Sequence, residues 1–206
     1  MDSNNARPKK LRAIAPQRRH GKARVEAVLA AGAAVIAEKG YDAATMAEIA
    51  VLAKAPIGSL YRFFPNKEIL ADALVQRYVG RVNELFDAIQ QQSPRNSNNY
   101  LADAILNLGV QMNDETKALA GLLESRADWS AKRQKFRGLV LGRIAGLLQQ
   151  RSPALPESTA RDVAVILLHN LKTMRAFKAG REVANSPGAA NELRDMNRLY
   201  LAHCLR

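Results

Sequence analysis

The residue types that do chemistry are thinly spread in this 206-residue chain. Its three histidines, His20, His169 and His203, have no H-E-x-x-H or comparable ligand spacing. A single cysteine, Cys204, allows neither an internal disulfide nor a cysteine-based metal site. There is no Walker loop, no G-x-G-x-x-G and no G-x-S-x-G. Asp and Glu are scattered and mostly stand near Lys or Arg on prospective helix faces. No catalytic constellation, metal site or cofactor is therefore expected, and the chain does not read as an enzyme. Polar chemistry is concentrated instead in residues 45–70, TMAEIAVLAKAPIGSLYRFFPNKEIL. Thr45, Lys54, Ser59, Tyr61, Arg62 and Lys67 are the hydroxyls and cations of this stretch, the groups that hydrogen-bond to phosphates and base edges.

Helices must position them. Thr45 and Glu48 make a Thr-x-x-Glu capping box, which predicts a helix start. Met46, Ile49, Ala50 and Ala53 give that helix a buried face. Lys54-Ala55 is the expected turn, and Pro56 suits the first turn of a second helix running to Phe64. Leu60, Phe63 and Phe64 anchor this second helix, leaving Ile57, Gly58, Ser59, Tyr61 and Arg62 to face outward. Pro65-Asn66 ends it, with Asn66 placed to cap a helix from Lys67. Two short helices joined by a tight turn are the geometry that sets a second helix into the DNA major groove.

The residue order is more specific than the geometry. IAxxA, then G-S-L-Y-x-x-F and N-K-E-x-L, resembles the tetracycline-repressor (TetR) family signature IAxxAGVSxGTLYxHFxSKExL. The likeness is detailed over about the first third of the chain and continues beyond it in layout. Among the departures from the pattern, Lys54 replaces the turn glycine, Pro56 the serine opening the recognition helix, and Phe63 the His or Tyr before the Phe. The resemblance implies a double-stranded DNA operator, with Tyr61 and Lys67 on phosphate and Thr45 in support. Ile57, Ser59 and Arg62 are then the candidates for base-edge reading, with Lys54 and Gly58 beside them.

Composition agrees with a helical DNA-binding protein. Apolar residues make up 48% and aromatics 5%, and alanine and leucine dominate with little Val-Ile-Thr alternation, so an all-α protein is expected. No apolar run approaches membrane-spanning length, and the amino terminus lacks the apolar segment of a secretory signal, so a cytoplasmic protein without membrane contact is expected. The formal charge of +12 points to a polyanionic partner. Residues 1–24 carry eight Lys/Arg against one acid. Such an arm fits a solvated tail, or one that neutralises phosphates beside the helix-turn-helix.

The expected layout is a basic arm (1–17), a helix-turn-helix domain (18–66) and a larger helical domain (67–206). The first helix covers 18–39, with Val25, Val28, Leu29, Gly32, Val35 and Ile36 on one face and Gly40 as its stop. Further helices are expected over 67–92, 100–112, 115–126, 129–150, 159–179 and 189–205. In the helix over 159–179, Val163, Ile166, Leu167, Asn170, Met174 and Phe177 share a side. In the last helix Leu193, Met196, Tyr200 and His203 form a stripe. This periodicity fits burial within one chain or between two. The TetR resemblance implies the latter, a homodimer joined through the last two helices. It also implies that the larger domain binds an unknown small-molecule effector, for which Phe86, Met112, Trp129, His169, Asn170 and Met174 are candidate lining residues. The function implied is a transcriptional repressor released by its effector. The alternative is a constitutive, weakly specific DNA-binding protein without one.

Overall fold

The computed structural model describes residues 19–111, 129–178, 180 and 186–206. The basic arm, Met112 and the helix expected over 115–126 lie outside the described residues. Among the described residues the chain is helical and without strands: α1 (Arg19–Lys39), α2 (Met46–Leu52), α3 (Ile57–Phe63), α4 (Lys67–Gln92), α5 (Asn98–Gln111), α6 (Ser130–Arg151), α7 (Glu157–Lys178) and α8 (Ala189–Cys204). No helix among them is long and apolar enough to cross a membrane. The described residues divide into two compact units, with the division inside α4 between Tyr78 and Val79.

The first unit is built on α1, α2, α3 and the start of α4. Val28, Leu29, Val35 and Ile36 of α1, Ile49 and Ala50 of α2, Leu60 and Phe63 of α3, and Leu70 of α4 are all buried. Each large side chain so buried stabilises the fold by roughly 1.5–3 kcal/mol before entropy is counted. α1 stops at Gly40, whose positive φ of 81° suits glycine and whose N–H donates to the Ile36 carbonyl at 2.9 Å. Tyr41 then turns inward and is buried.

In the second unit α5 packs on α7 and α8, and α7 packs on α6 and α8. Leu101, Ile105 and Leu106 of α5, Ile144 and Leu148 of α6, Val163 and Leu167 of α7, and Leu201 of α8 form its core. α5 and α7 approach closely at Gly109, where an added Cβ would lie 2.8 Å from the Leu171 carbonyl oxygen. A bidentate pair also ties α5 to α8: Arg198 donates from Nε to Asp103 Oδ1 at 3.0 Å and from Nη2 to Oδ2 at 2.6 Å.

Two helix starts and one buried face differ from expectation. α5 begins two residues early, because Ser97 caps it and its Oγ accepts from the Tyr100 N–H at 3.2 Å. α7 also begins two residues early, at Glu157. There the Pro156 carbonyl accepts from the Ala160 N–H at 2.9 Å, so Ser158 and Thr159 lie inside the first turn and do not cap it. In α8 the face packed within the chain carries Asn197 and Leu201, whereas Met196 and His203 of the expected stripe are exposed.

Candidate nucleic-acid interface

The helix-turn-helix forms as its caps dictate. Thr45 is extended and caps α2: its Oγ1 accepts from the Glu48 N–H at 3.2 Å, while the Glu48 carboxylate accepts from the Thr45 N–H at 3.1 Å and its hydroxyl at 2.9 Å. Lys39, in the last turn of α1, donates to the same carboxylate at 2.5 Å. These bonds, Lys39 first and then Thr45, lower the Glu48 pKa from its ordinary 4.5 to about 2. One acidic side chain thus closes the capping box and ties the end of α1 to the start of α2.

The turn after α2 carries a backbone irregularity. Lys54 has φ of 50°, the sole positive φ of a non-glycine among the described residues, and stands where the signature has glycine. Its N–H bonds to the Val51 carbonyl at 3.0 Å, and that of Ala55 to the Ala50 carbonyl at 3.0 Å. Pro56 then sits at the cap of α3, where its missing N–H leaves nothing unpaired.

α3 is sharply two-sided. Leu60 and Phe63 are buried, and Phe64 just beyond the helix is 2% exposed. Ile57, Gly58, Tyr61 and Arg62 are exposed, and Ser59 is half-buried. Ile57 and Tyr61 are four residues apart, as are Gly58 and Arg62, so each pair shares a face of the helix. The Arg62 guanidinium lies 4.8 Å from the centre of the Phe63 ring.

By sequence alone Arg24 is one more charge of the basic amino-terminal stretch. The structure sets it on α1 beside the recognition helix, where its Nη1 donates to Ser59 Oγ at 3.4 Å. Nothing in the local pattern of α1 announces a partner thirty-five residues away. Lys67, expected at phosphate, has partners within the chain. Its ammonium donates to the carbonyls of Tyr41 (2.8 Å), Asp42 (3.0 Å) and Ala44 (3.0 Å), which uses its three N–H groups. It also stands 4.6 Å from the Tyr41 ring centre.

Of the residues named for an effector site, Met112 lies outside the described residues, and the others differ in burial. Phe86, Trp129 and Met174 are core side chains of the second unit. Arg143 lies over the Phe86 ring, and Lys132 over that of Trp129. His169 is exposed on α7, with Nδ1 bonded to the Val165 carbonyl at 2.8 Å, so it does not line the interior. Asn170 donates to the buried Asn197 side chain on α8 at 3.0 Å. Among the described residues no group of three or more His, Cys, Asp or Glu could hold a metal.

Comparison with known proteins places this architecture. Curated protein sequences contain no match. A transcriptional regulator from Aquifex aeolicus superposes with a TM-score of 0.68 at 19% identity, covering 86% of this chain and 99% of that one. A TetR-family regulator from Streptomyces coelicolor gives 0.59 at 26% identity, covering 90% and 99%. The transcriptional regulator FadR from Bacillus subtilis, solved in complex with stearoyl-CoA, gives 0.62 at 15% identity, covering 84% and 96%. Residues 28–74, from the middle of α1 through the recognition helix into α4, match the family model "Bacterial regulatory proteins, tetR family". The motif, the two-sided recognition helix and the whole-chain likeness agree: residues 28–74 form a DNA-binding segment of the tetR family, and the chain shares the fold of TetR-type transcriptional regulators.

Proposed function

We propose that this DNA-binding regulator is a sequence-specific repressor that grips its operator as a homodimer and is released by a small molecule. The exposure of Ile57, Gly58, Tyr61 and Arg62 on a helix whose other side is sealed by Leu60 and Phe63 carries the reading. Arg62 and Ser59 are the readers of base edges, Ile57 supplies an apolar contact, and Tyr61 and Lys54 meet phosphates, with Gly58 allowing close approach. Thr45 supports them by capping α2. Arg62→Ala is expected to lose roughly 1–3 kcal/mol on the preferred sequence and little on random DNA. Equal losses on both would remove Arg62 from the reading set.

Pairing of chains is supported by the exposed apolar side chains of the last two helices: Ile166 at 43%, Met196 at 51% and Leu199 at 75%. Two half-sites one helical turn apart also require two recognition helices. Leu199→Glu should lower the sedimentation mass to that of a single chain and abolish operator binding. Release by a small molecule rests on the shared fold and on the complex of the Bacillus subtilis regulator with stearoyl-CoA. Such a molecule acts only if it binds the DNA-incompetent state more tightly.

The deciding experiment is fluorescence anisotropy on DNA from upstream of the protein's own gene, against random DNA of equal length, over a salt series. Tight binding with a large preference for the upstream DNA supports the reading. Equal binding that collapses with salt favours a weakly specific binder without an effector.

A further inference from the structure

We infer that Ile57 reads the C5-methyl group of a thymine in the major groove, so that each half-site of the operator carries a thymine at a fixed place. The inference rests on the DNA-binding reading above and names the feature of the DNA that one position of the recognition helix selects.

Ile57 is the first residue of α3 and is 44% exposed. It shares a helix face with Tyr61, which is 48% exposed, and so belongs to the outward surface of the recognition helix. The residues around it in the chain offer no side-chain donor or acceptor: Ala55, Pro56, Ile57 and Gly58 follow one another. Proline in place of the signature's serine removes a hydroxyl that could have met a polar base edge. The surface beside Ile57 is open, since a Cβ added at Gly58 would meet nothing within 4 Å. In a helix an isoleucine keeps to one strongly preferred χ1 rotamer, so its methyl groups stand in one place and little freedom is lost on contact.

The beginning of a recognition helix is the part that meets base edges. In the major groove thymine alone presents a methyl group, whereas guanine, adenine and cytosine present acceptors or donors. An isoleucine pressed against those polar edges strips them of water and returns no hydrogen bond. Against thymine the same side chain covers the methyl, and both apolar surfaces leave water. Attraction and penalty therefore select the same base.

The test uses the full chain and a duplex enriched by the wild-type protein from a randomised pool. Each thymine of that duplex is replaced in turn by deoxyuridine, which removes the methyl and keeps the hydrogen-bonding edges. Fluorescence anisotropy should find one thymine per half-site whose replacement weakens binding by about fourfold, the worth of one buried methyl. Changing both half-sites at once should weaken it by about fifteenfold. Ile57→Ala should bind the thymine and uracil duplexes alike at that position, and because Ile57 is exposed the variant leaves the core of the unit intact. A second measurement exchanges the T·A pair for 5-methylcytosine·guanine or for cytosine·guanine. The wild-type protein should prefer the methylated pair by about fourfold, and Ile57→Ala should show no preference. An enriched duplex in which no uracil is felt would overturn the proposal. A thymine that Ile57→Ala senses as strongly as the wild-type protein would overturn it too, since another side chain would then meet the methyl. Both results leave the DNA-binding reading standing. Failure of the wild-type protein to enrich any duplex would instead count against that reading and take the thymine contact with it.

Discussion

Replacing Gly109 by alanine isolates the packing of the second unit. The new Cβ would lie 2.8 Å from the Leu171 carbonyl oxygen, 2.9 Å from its Cδ2 and 3.1 Å from its Cγ. The leucine side chain can swing away, but the carbonyl belongs to the backbone of α7 and moves only with the helix. α5 and α7 must therefore part by several tenths of an ångström, loosening the core around Ile105 and Leu106. Overpacking of this kind costs about 1–3 kcal/mol. Alanine also gains about 1 kcal/mol over glycine in a helix, which masks part of the loss. Gly142→Ala on α6 supplies the reference, because a Cβ added there would meet nothing within 4 Å. Both variants gain the same propensity, so their difference is the packing cost, about 1–3 kcal/mol in favour of Gly142→Ala. Guanidinium unfolding at one fixed protein concentration reads it as a shift in midpoint at constant slope. Equal midpoints for the two variants would refute the rigid approach of α5 and α7.

Other perturbations have definite outcomes. Lys54→Gly should relieve about 1 kcal/mol of left-handed strain; after the added freedom of the unfolded chain is counted, thermal unfolding should show a net gain of about half that, whereas Lys54→Val should lose stability. The Glu48 pKa is lowered to about 2 from 4.5, so its stabilisation is complete above pH 4.5 and disappears as pH falls through about 2. The stability gap between wild type and Glu48→Gln should hold steady from pH 6 to 8, close in strong acid and shrink with added salt. Asn197 is fully buried, accepting from Asn170 and donating to the Leu193 carbonyl at 2.7 Å. Asn197→Ala should cost about 1–3 kcal/mol by stranding its partner, and Asn170→Leu combined with Asn197→Leu should recover part of it, read as non-additivity in a double-mutant cycle.

Local chemistry was legible in the sequence and distant chemistry was not. The capping box at Thr45 and Glu48, the stop at Gly40, the cap at Asn66 and the inward set Leu60, Phe63 and Phe64 all follow from residue types within one or two turns. They suffice for the helix-turn-helix and its outward face. The three carbonyls that hold Lys67 come from residues 41–44, more than twenty positions upstream, and no spacing rule reaches that far. Lys39 meeting Glu48 and Arg24 meeting Ser59 have the same character, since each joins two helices. Periodicity in α8 gives an apolar stripe but not which face the chain covers: Asn197, polar by type, lies inside because Asn170 satisfies it, while Met196 and Leu199 stay out. The effector candidates meet a similar limit, because Phe86, Trp129 and Met174 qualify by type, and type does not separate core from cavity.

The buried amide pair between α7 and α8 bears on which length changes this protein could survive. Deleting one residue from the early part of α8 would turn the preceding segment by about 100° relative to the rest. If the start of the helix stayed docked, Arg198 would take the buried place of Asn197 and leave Asp103, with a charge to bury and no partner for it. Sliding the helix to compensate would carry that misfit into its packing on α5. An insertion before Ala189, at the exposed residues 186–188, leaves the count within the helix untouched. Natural variants of this chain should therefore differ in length ahead of α8 and hardly ever within it.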